Sequence, residues 1–128
     1  MRTWTIVDHS TDRPLTMNAL VNLNRFAWAK HTRETRGRWW LLAREASIPP
    51  LAAATITVTP LHRDGRSPQD VGAMAPHVKA VVDGLIDAGV LPDDDPTHLH
   101  AITYRGPRVC GHNGLELVIT EVTERSEP

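Results

Sequence analysis

The chain carries one cysteine, Cys110, among 128 residues, so no internal disulfide can form and the core has to come from apolar packing. No apolar run approaches the roughly 18 to 20 residues that a membrane-spanning helix requires. The opening residues, MRTWTIVDHS, lack the apolar stretch of a signal peptide. Ser-rich and Gln-rich low-complexity tracts are missing too, which confines expected disorder to the ends. These absences exclude a disulfide scaffold and a helical membrane protein. They predict one soluble domain over residues 1–124 with a short tail at 125–128, working in the reducing cytoplasm without a membrane partner.

What is present suits a small globular domain: 41% hydrophobic and 23% charged residues, in a chain long enough to bury a core without a structural metal. Residues 2–8 alternate with the period of a half-buried strand. Residues 9–24, with Pro14 and asparagines at 18, 22 and 24, read as a long connection of the kind that often carries function. The stretch 32–46 places Trp39, Leu42 and Ala46 on one helical stripe with Trp40 and Ala43 beside it. Gly37 weakens this helix by about 1 kcal/mol relative to Ala, and Pro49 and Pro50 end it.

A β-branched alternating run at 52–61 predicts a second strand, stopped by Pro60. Pro76 opens a helix whose Val78, Val81, Val82 and Leu85 recur at helical spacing until Gly89 supplies a left-handed stop. Strands three and four follow at 98–104 and 115–122. The expected fold class is α+β: a small mixed four-stranded sheet with two main helices packed on it.

Charge is unevenly spread behind a formal net value of −1. Between residues 25 and 44 six basic residues, Arg25, Lys30, Arg33, Arg36, Arg38 and Arg44, face a single acid, Glu34, whereas residues 64–127 hold eleven acids. A basic segment bearing aromatics fits a polyanion, because Lys and Arg displace condensed counterions from phosphates. Lys30, Arg33, Arg36 and Arg38, with Arg63 and Arg66 of the polar turn after the second strand, are the candidate DNA-binding residues. A solvated helix face accounts for the same charges.

The acids cluster around the second helix. Lys79, Asp83 and Asp87 form one polar stripe at i, i+4 and i+8. Asp70 precedes the helix, and Asp93, Asp94 and Asp95 follow it. Lys79 with Asp83 also fits a surface ion pair, and PDDDP alone fits a turn with Asx-type hydrogen bonds. If both flanking loops fold to the same side, the set has the composition of a phosphodiester hydrolase. Carboxylates there hold Mg²⁺, and a Lys offsets charge on the phosphorus.

The stretch 79–94, KAVVDGLIDAGVLPDD, resembles the signature of the RusA-like Holliday-junction resolvases, a Lys-bearing helix with an internal Asp that runs through an A-G turn into an Asp pair. The likeness extends more weakly along most of the chain, to the first strand, the basic helix, the strand ending in a basic turn and the C-terminal LELVITEV. The resemblance implies an α+β homodimer that binds four-way or otherwise branched DNA and nicks paired strands with Mg²⁺ or Mn²⁺. It implies Lys79, Asp94 and Asp70 as catalytic residues, and Asp70, Asp93, Asp94 and Asp83 as metal ligands. The chain departs from the family at one point: the usual D-x-D-N before the Lys is reduced to a lone Asp70, nine residues upstream of Lys79. A protein that binds branched DNA but cuts poorly is the alternative expectation.

His98, His100, Cys110 and His112 compose a possible Zn²⁺ set, although their spacing is that of no common zinc module. Cys110 has no base partner evident in sequence and reads as a small buried thiol. Trp28 is the candidate for stacking on an unpaired base, and Trp39 and Trp40, with Leu41 and Leu42, are expected in the core or the dimer interface.

Overall fold

The computed structural model describes residues 1–10, 19, 21–65 and 71–123. Asp70, Arg66 and the C-terminal tail lie outside the described residues. The first strand, β1 (Thr3–Ser10), is followed by helix α1 (Arg25–Glu45), strand β2 (Ala54–His62), helix α2 (Ala75–Asp87), strand β3 (Leu99–Tyr104), the two-residue strand β4 (Arg108–Val109) and strand β5 (Asn113–Glu121). The sheet runs β1-β5-β2-β3, with β4 also on β2. It is mixed, because β5 is antiparallel to β1 and β2 whereas β3 and β4 are parallel to β2. The α+β expectation of two helices on a mixed sheet holds. The sheet has five strands rather than four, because β4 was too short to leave a periodic signal.

Two boundaries moved for identifiable reasons. Helix α1 starts at Arg25 rather than Thr32, capped by Asn24, whose Oδ1 accepts the Ala27 N–H at 2.8 Å. Its first two turns carry Arg25, Phe26, Trp28 and Lys30 into solvent, so they show no apolar stripe. Strand β2 runs through Pro60 instead of stopping there. In that strand Val58 and His62 turn their carbonyls to the β3/β4 side, accepting Arg105 N–H at 2.9 Å and Cys110 N–H at 3.0 Å. Pro60 lies between them with no N–H to give. The neighbouring chain accordingly leaves the ladder between β3 and β4, over residues 105–107.

Trp39, Leu42 and Ala43 of α1 and Val78, Val81, Val82 and Leu85 of α2 pack on Ile6, Ile56, Val58, Leu115, Leu117 and Ile119 of the sheet. Trp39 is only 1% exposed, and truncating a side chain of that size in a core costs about 3–5 kcal/mol. Trp39 and Leu42 therefore belong to the subunit's own core, not to an interface. Trp40 and Leu41 are 41% and 40% exposed, and Ala46, expected on the buried stripe, is exposed at the helix C-cap.

The helices touch closely because of Gly84. A Cβ there would lie 2.5 Å from the Arg36 carbonyl oxygen and 3.0 Å from Trp39 Cβ, so any larger residue would push α2 off α1. Beside this contact, His77 of α2 is buried with its Nδ1 3.1 Å from His31 Nε2 of α1. Burial, reinforced by His31, holds the His77 pKa down to about 4.

This pair gives a pH-dependent stability. Above pH 6.5 His77 is neutral in both states; as pH falls toward 4 the unfolded chain takes up a proton that the folded chain refuses. Folding should therefore weaken by roughly 3 kcal/mol across that window. Urea midpoints measured from pH 7 down to 4 should fall less steeply for His77→Phe than for the wild type; parallel curves would show that His77 does not set the slope.

Candidate active site

Helix α2 ends in a Schellman turn: Gly89, at φ +83, donates its N–H to Ile86, and Val90 donates to Leu85 at 3.0 Å. Val90 and Leu85 are both buried, and the Val90 carbonyl accepts the Leu51 N–H at 2.8 Å. The chain is thereby fixed as it reverses, and Pro92 leads into the three carboxylates.

Those three acids have divided roles. Asp95 closes an Asx turn, its Oδ1 accepting N–H groups of Thr97 at 3.0 Å and His98 at 3.2 Å. Asp93 Oδ1 accepts the Asp94 N–H at 2.8 Å. Asp94 is the one that turns back to α2, where it takes a short charge-assisted hydrogen bond from the Lys79 ammonium. The same ammonium lies 3.3 Å from Asp83 Oδ1. Lys79 thus bridges a helix carboxylate and a loop carboxylate 11 residues apart in sequence.

The electrostatics follow the bonding. The hydrogen bond to Asp94, aided by Asp83, raises the Lys79 pKa, and the hydrogen bond from Lys79 holds the Asp94 carboxyl below its ordinary value. All three groups reach solvent, with side chains 61%, 24% and 34% exposed for Lys79, Asp83 and Asp94. Exposed pairs of this kind contribute little to stability.

The third member of the expected stripe is used elsewhere. Asp87 is bidentate with Arg36 of α1, which includes an Nη2–Oδ1 contact of 2.8 Å. Arg38 bonds Asp8 of β1 at 3.0 Å, and Lys30 lies 3.8 Å from Glu34. Arg63 sits beside Asp64 at 4.0 Å in the exposed turn after β2. Arg33 is exposed and makes no ion pair with a described residue. Among the expected DNA-binding residues, Arg36 and Arg38 therefore tie α1 to the body, while Lys30, Arg33 and Arg63 face solvent. Arg66 lies outside the described residues. Trp28, the base-stacking candidate, is 40% exposed on the projecting part of α1.

The expected metal ligands are brought together in part. Asp83 and Asp94 converge on Lys79, exposed Asp93 is bonded to the Asp94 N–H, and Asp70 falls outside the described residues. No three His, Cys, Asp or Glu side chains among the described residues form a metal-holding group. Mg²⁺ is commonly held by one or two carboxylates with phosphate oxygens and waters completing the shell; Asp83 and Asp94 are carboxylates of that kind, with the Lys79 ammonium between them.

The zinc expectation does not fare as well. His98 bonds the Ala52 carbonyl at 3.0 Å and His100 the Thr97 carbonyl at 3.2 Å, away from Cys110, which lies 3.6 Å from His112. Cys110 is exposed rather than buried. No helix among the described residues is long and apolar enough to cross a membrane.

Sequence reasoning missed the Arg36–Asp87 clamp and the His31–His77 contact, since neither pair shares an element. Compared with known proteins, the chain matches no family model and no curated protein.

Replacing Lys79 with Met should return the Asp94 carboxyl toward its ordinary titration range. A carboxyl-carbon NMR titration reads this directly, and an unshifted Asp94 would remove Lys79 as its partner.

Proposed function

We propose that this protein is a RusA-like endodeoxyribonuclease, acting in the cytoplasm in DNA recombination and repair, which resolves Holliday junctions by paired nicking as a homodimer. The observation that supports the reading is the Lys79 ammonium set between Asp83 and Asp94, with the loop after α2 anchored so that Asp94 reaches the helix. Metal-assisted hydrolysis of a phosphodiester uses carboxylates to hold a divalent cation and a Lys to offset charge on the phosphorus, and these residue types lie together here.

In this reading Asp94 and Asp83 would hold the Mg²⁺ or Mn²⁺, with Asp93 next to Asp94 in the chain and Asp70, on the resemblance, as the upstream ligand. When bound, the cation supplies positive charge at the phosphoryl oxygens and lowers the pKa of a water that serves as nucleophile. Lys79 would exchange its carboxylate partners for a non-bridging phosphate oxygen and stabilise the charge that grows there as water adds to phosphorus, giving its proton to solvent, and the bridging P–O bond breaks, the leaving oxygen taking a proton from solvent. Exposed Lys30, Arg33 and Arg63 contact the DNA backbone, and Trp28 stacks on an unpaired base near the branch.

A dimer supplies the second active site that paired nicking requires, and two-fold symmetry matches a four-way junction. Exposed Trp40 and Leu41 offer apolar surface for that interface. Light scattering at micromolar protein should give twice the 14.2 kDa chain mass; a monomer that still cuts both strands in step would exclude this arrangement.

One observation favours a second reading, a protein that binds branched DNA and cuts weakly: only two carboxylates converge among the described residues. Asp94→Asn separates the two. As a nuclease the protein should lose cleavage by at least about 100-fold while binding junctions as tightly or more so, because one charge repelling phosphate is gone. Cleavage at the wild-type rate in Asp94→Asn would refute the site.

A further inference from the structure

Helices α1 and α2 pack on one face of the sheet; the other face grades from exposed Thr3 and Thr5 through half-buried Thr55 and Thr57 to buried Thr59. The residues that alternate with the core positions point there: Thr3 and Thr5 of β1, Thr55, Thr57 and Thr59 of β2, Thr120 of β5. Register lines them up, with Thr120 between Thr3 and Thr55 and Val118 between Thr5 and Thr57. Threonine is ordinary on an exposed strand, but here the hydroxyl rows end in a cavity of about 530 Å³ lined by Thr57, Thr59, Glu116 and Val118 together with Arg105 and Arg108. The cavity exists because Pro60 cannot donate to its neighbour, so residues 105–107 leave the ladder and bring both arginines around the edge of the sheet.

The charges in the cavity do not cancel. Arg108 is paired with Glu116, the Nη2–Oε2 distance being 2.8 Å. Arg105 is fixed through its backbone N–H to Val58 and makes no side-chain ion pair with a described residue. Among the described lining residues two guanidinium groups stand against one carboxylate, an excess of one positive charge flanked by threonine hydroxyls. That is the complement of a phosphodiester, which carries a single negative charge and is bound by Arg and Thr side chains.

We infer that this cleft, on the face of the sheet opposite Lys79, is a second DNA contact that takes a backbone phosphate of a junction arm, with Arg105 as its principal ligand. The inference rests on the DNA-binding reading above and adds to it a face of the molecule that the catalytic residues do not use.

The test is equilibrium binding of a labelled four-way junction to the full chain in chelator, across a salt series, for wild type, Arg105→Gln, Arg105→Lys and Thr57→Val. Loss of one phosphate contact should lower the slope of log K against log salt by about 1 and weaken binding about eightfold at about 0.1 M salt. Arg105→Lys should keep the slope, and Thr57→Val should weaken binding without changing it. An Arg105→Gln slope equal to wild type would overturn the cleft while leaving the nuclease reading standing. Wild-type protein that binds no junction at any salt would overturn both. Equal thermal melts of Arg105→Gln and wild type keep a lost slope from being a folding effect.

Discussion

The Lys79 ammonium is the interaction around which the candidate site is arranged. Asp83 and Asp94 come from a helix and a loop, and without a cation between them they would repel. Their convergence depends in turn on a backbone device, the left-handed Gly89 that lets the chain reverse while Val90 and Leu85 stay in the core. Apolar packing thus fixes the loop, the loop aims Asp94, and Lys79 balances the charge that results. Because the three groups are solvated, the interaction adds little to stability.

The division of labour among the charged residues follows the same logic. Arg36 and Arg38, which a reading of charge alone assigns to DNA, are bound to Asp87 and Asp8 and hold α1 against α2 and β1. Arg33 and Lys30, one and two turns earlier, remain exposed on the helix. A bidentate Arg–carboxylate pair is geometrically demanding, so the clamp also fixes the direction in which α1 leaves the body. The positively charged end of that helix is therefore held in place by charges that are themselves unavailable to a ligand.

Much of this was legible in the sequence where a short-range rule governed it. The valine spacing of α2, Pro76 at its start and Gly89 at its end predicted the helix to within a residue or two, and the alternation in β1 and β5 set their faces. The convergence of Lys79, Asp83 and Asp94 was also foreseeable, since helical spacing joins two of them and a short loop returns the third. What was hidden depended on tertiary context. The first turns of α1 lack a stripe because their side chains are mostly exposed, and Pro60 continues a strand because its missing donor faces a gap in the neighbouring chain. Asp87 and Arg36 sit on different helices, so no spacing rule connects them. Arg105 and Arg108 became a cleft only when that gap bent the chain.

We propose that the carboxylates around Lys79 serve metal-dependent cutting of branched DNA. The most direct test is to incubate the wild-type chain with a synthetic four-way junction and with a linear duplex of the same sequence, each in Mg²⁺, in Mn²⁺ and in chelator. The account predicts paired nicks in the junction with either metal, little cutting of the duplex, and none in chelator. Junction cleavage that persists in chelator, or an intact junction with both metals, would contradict it.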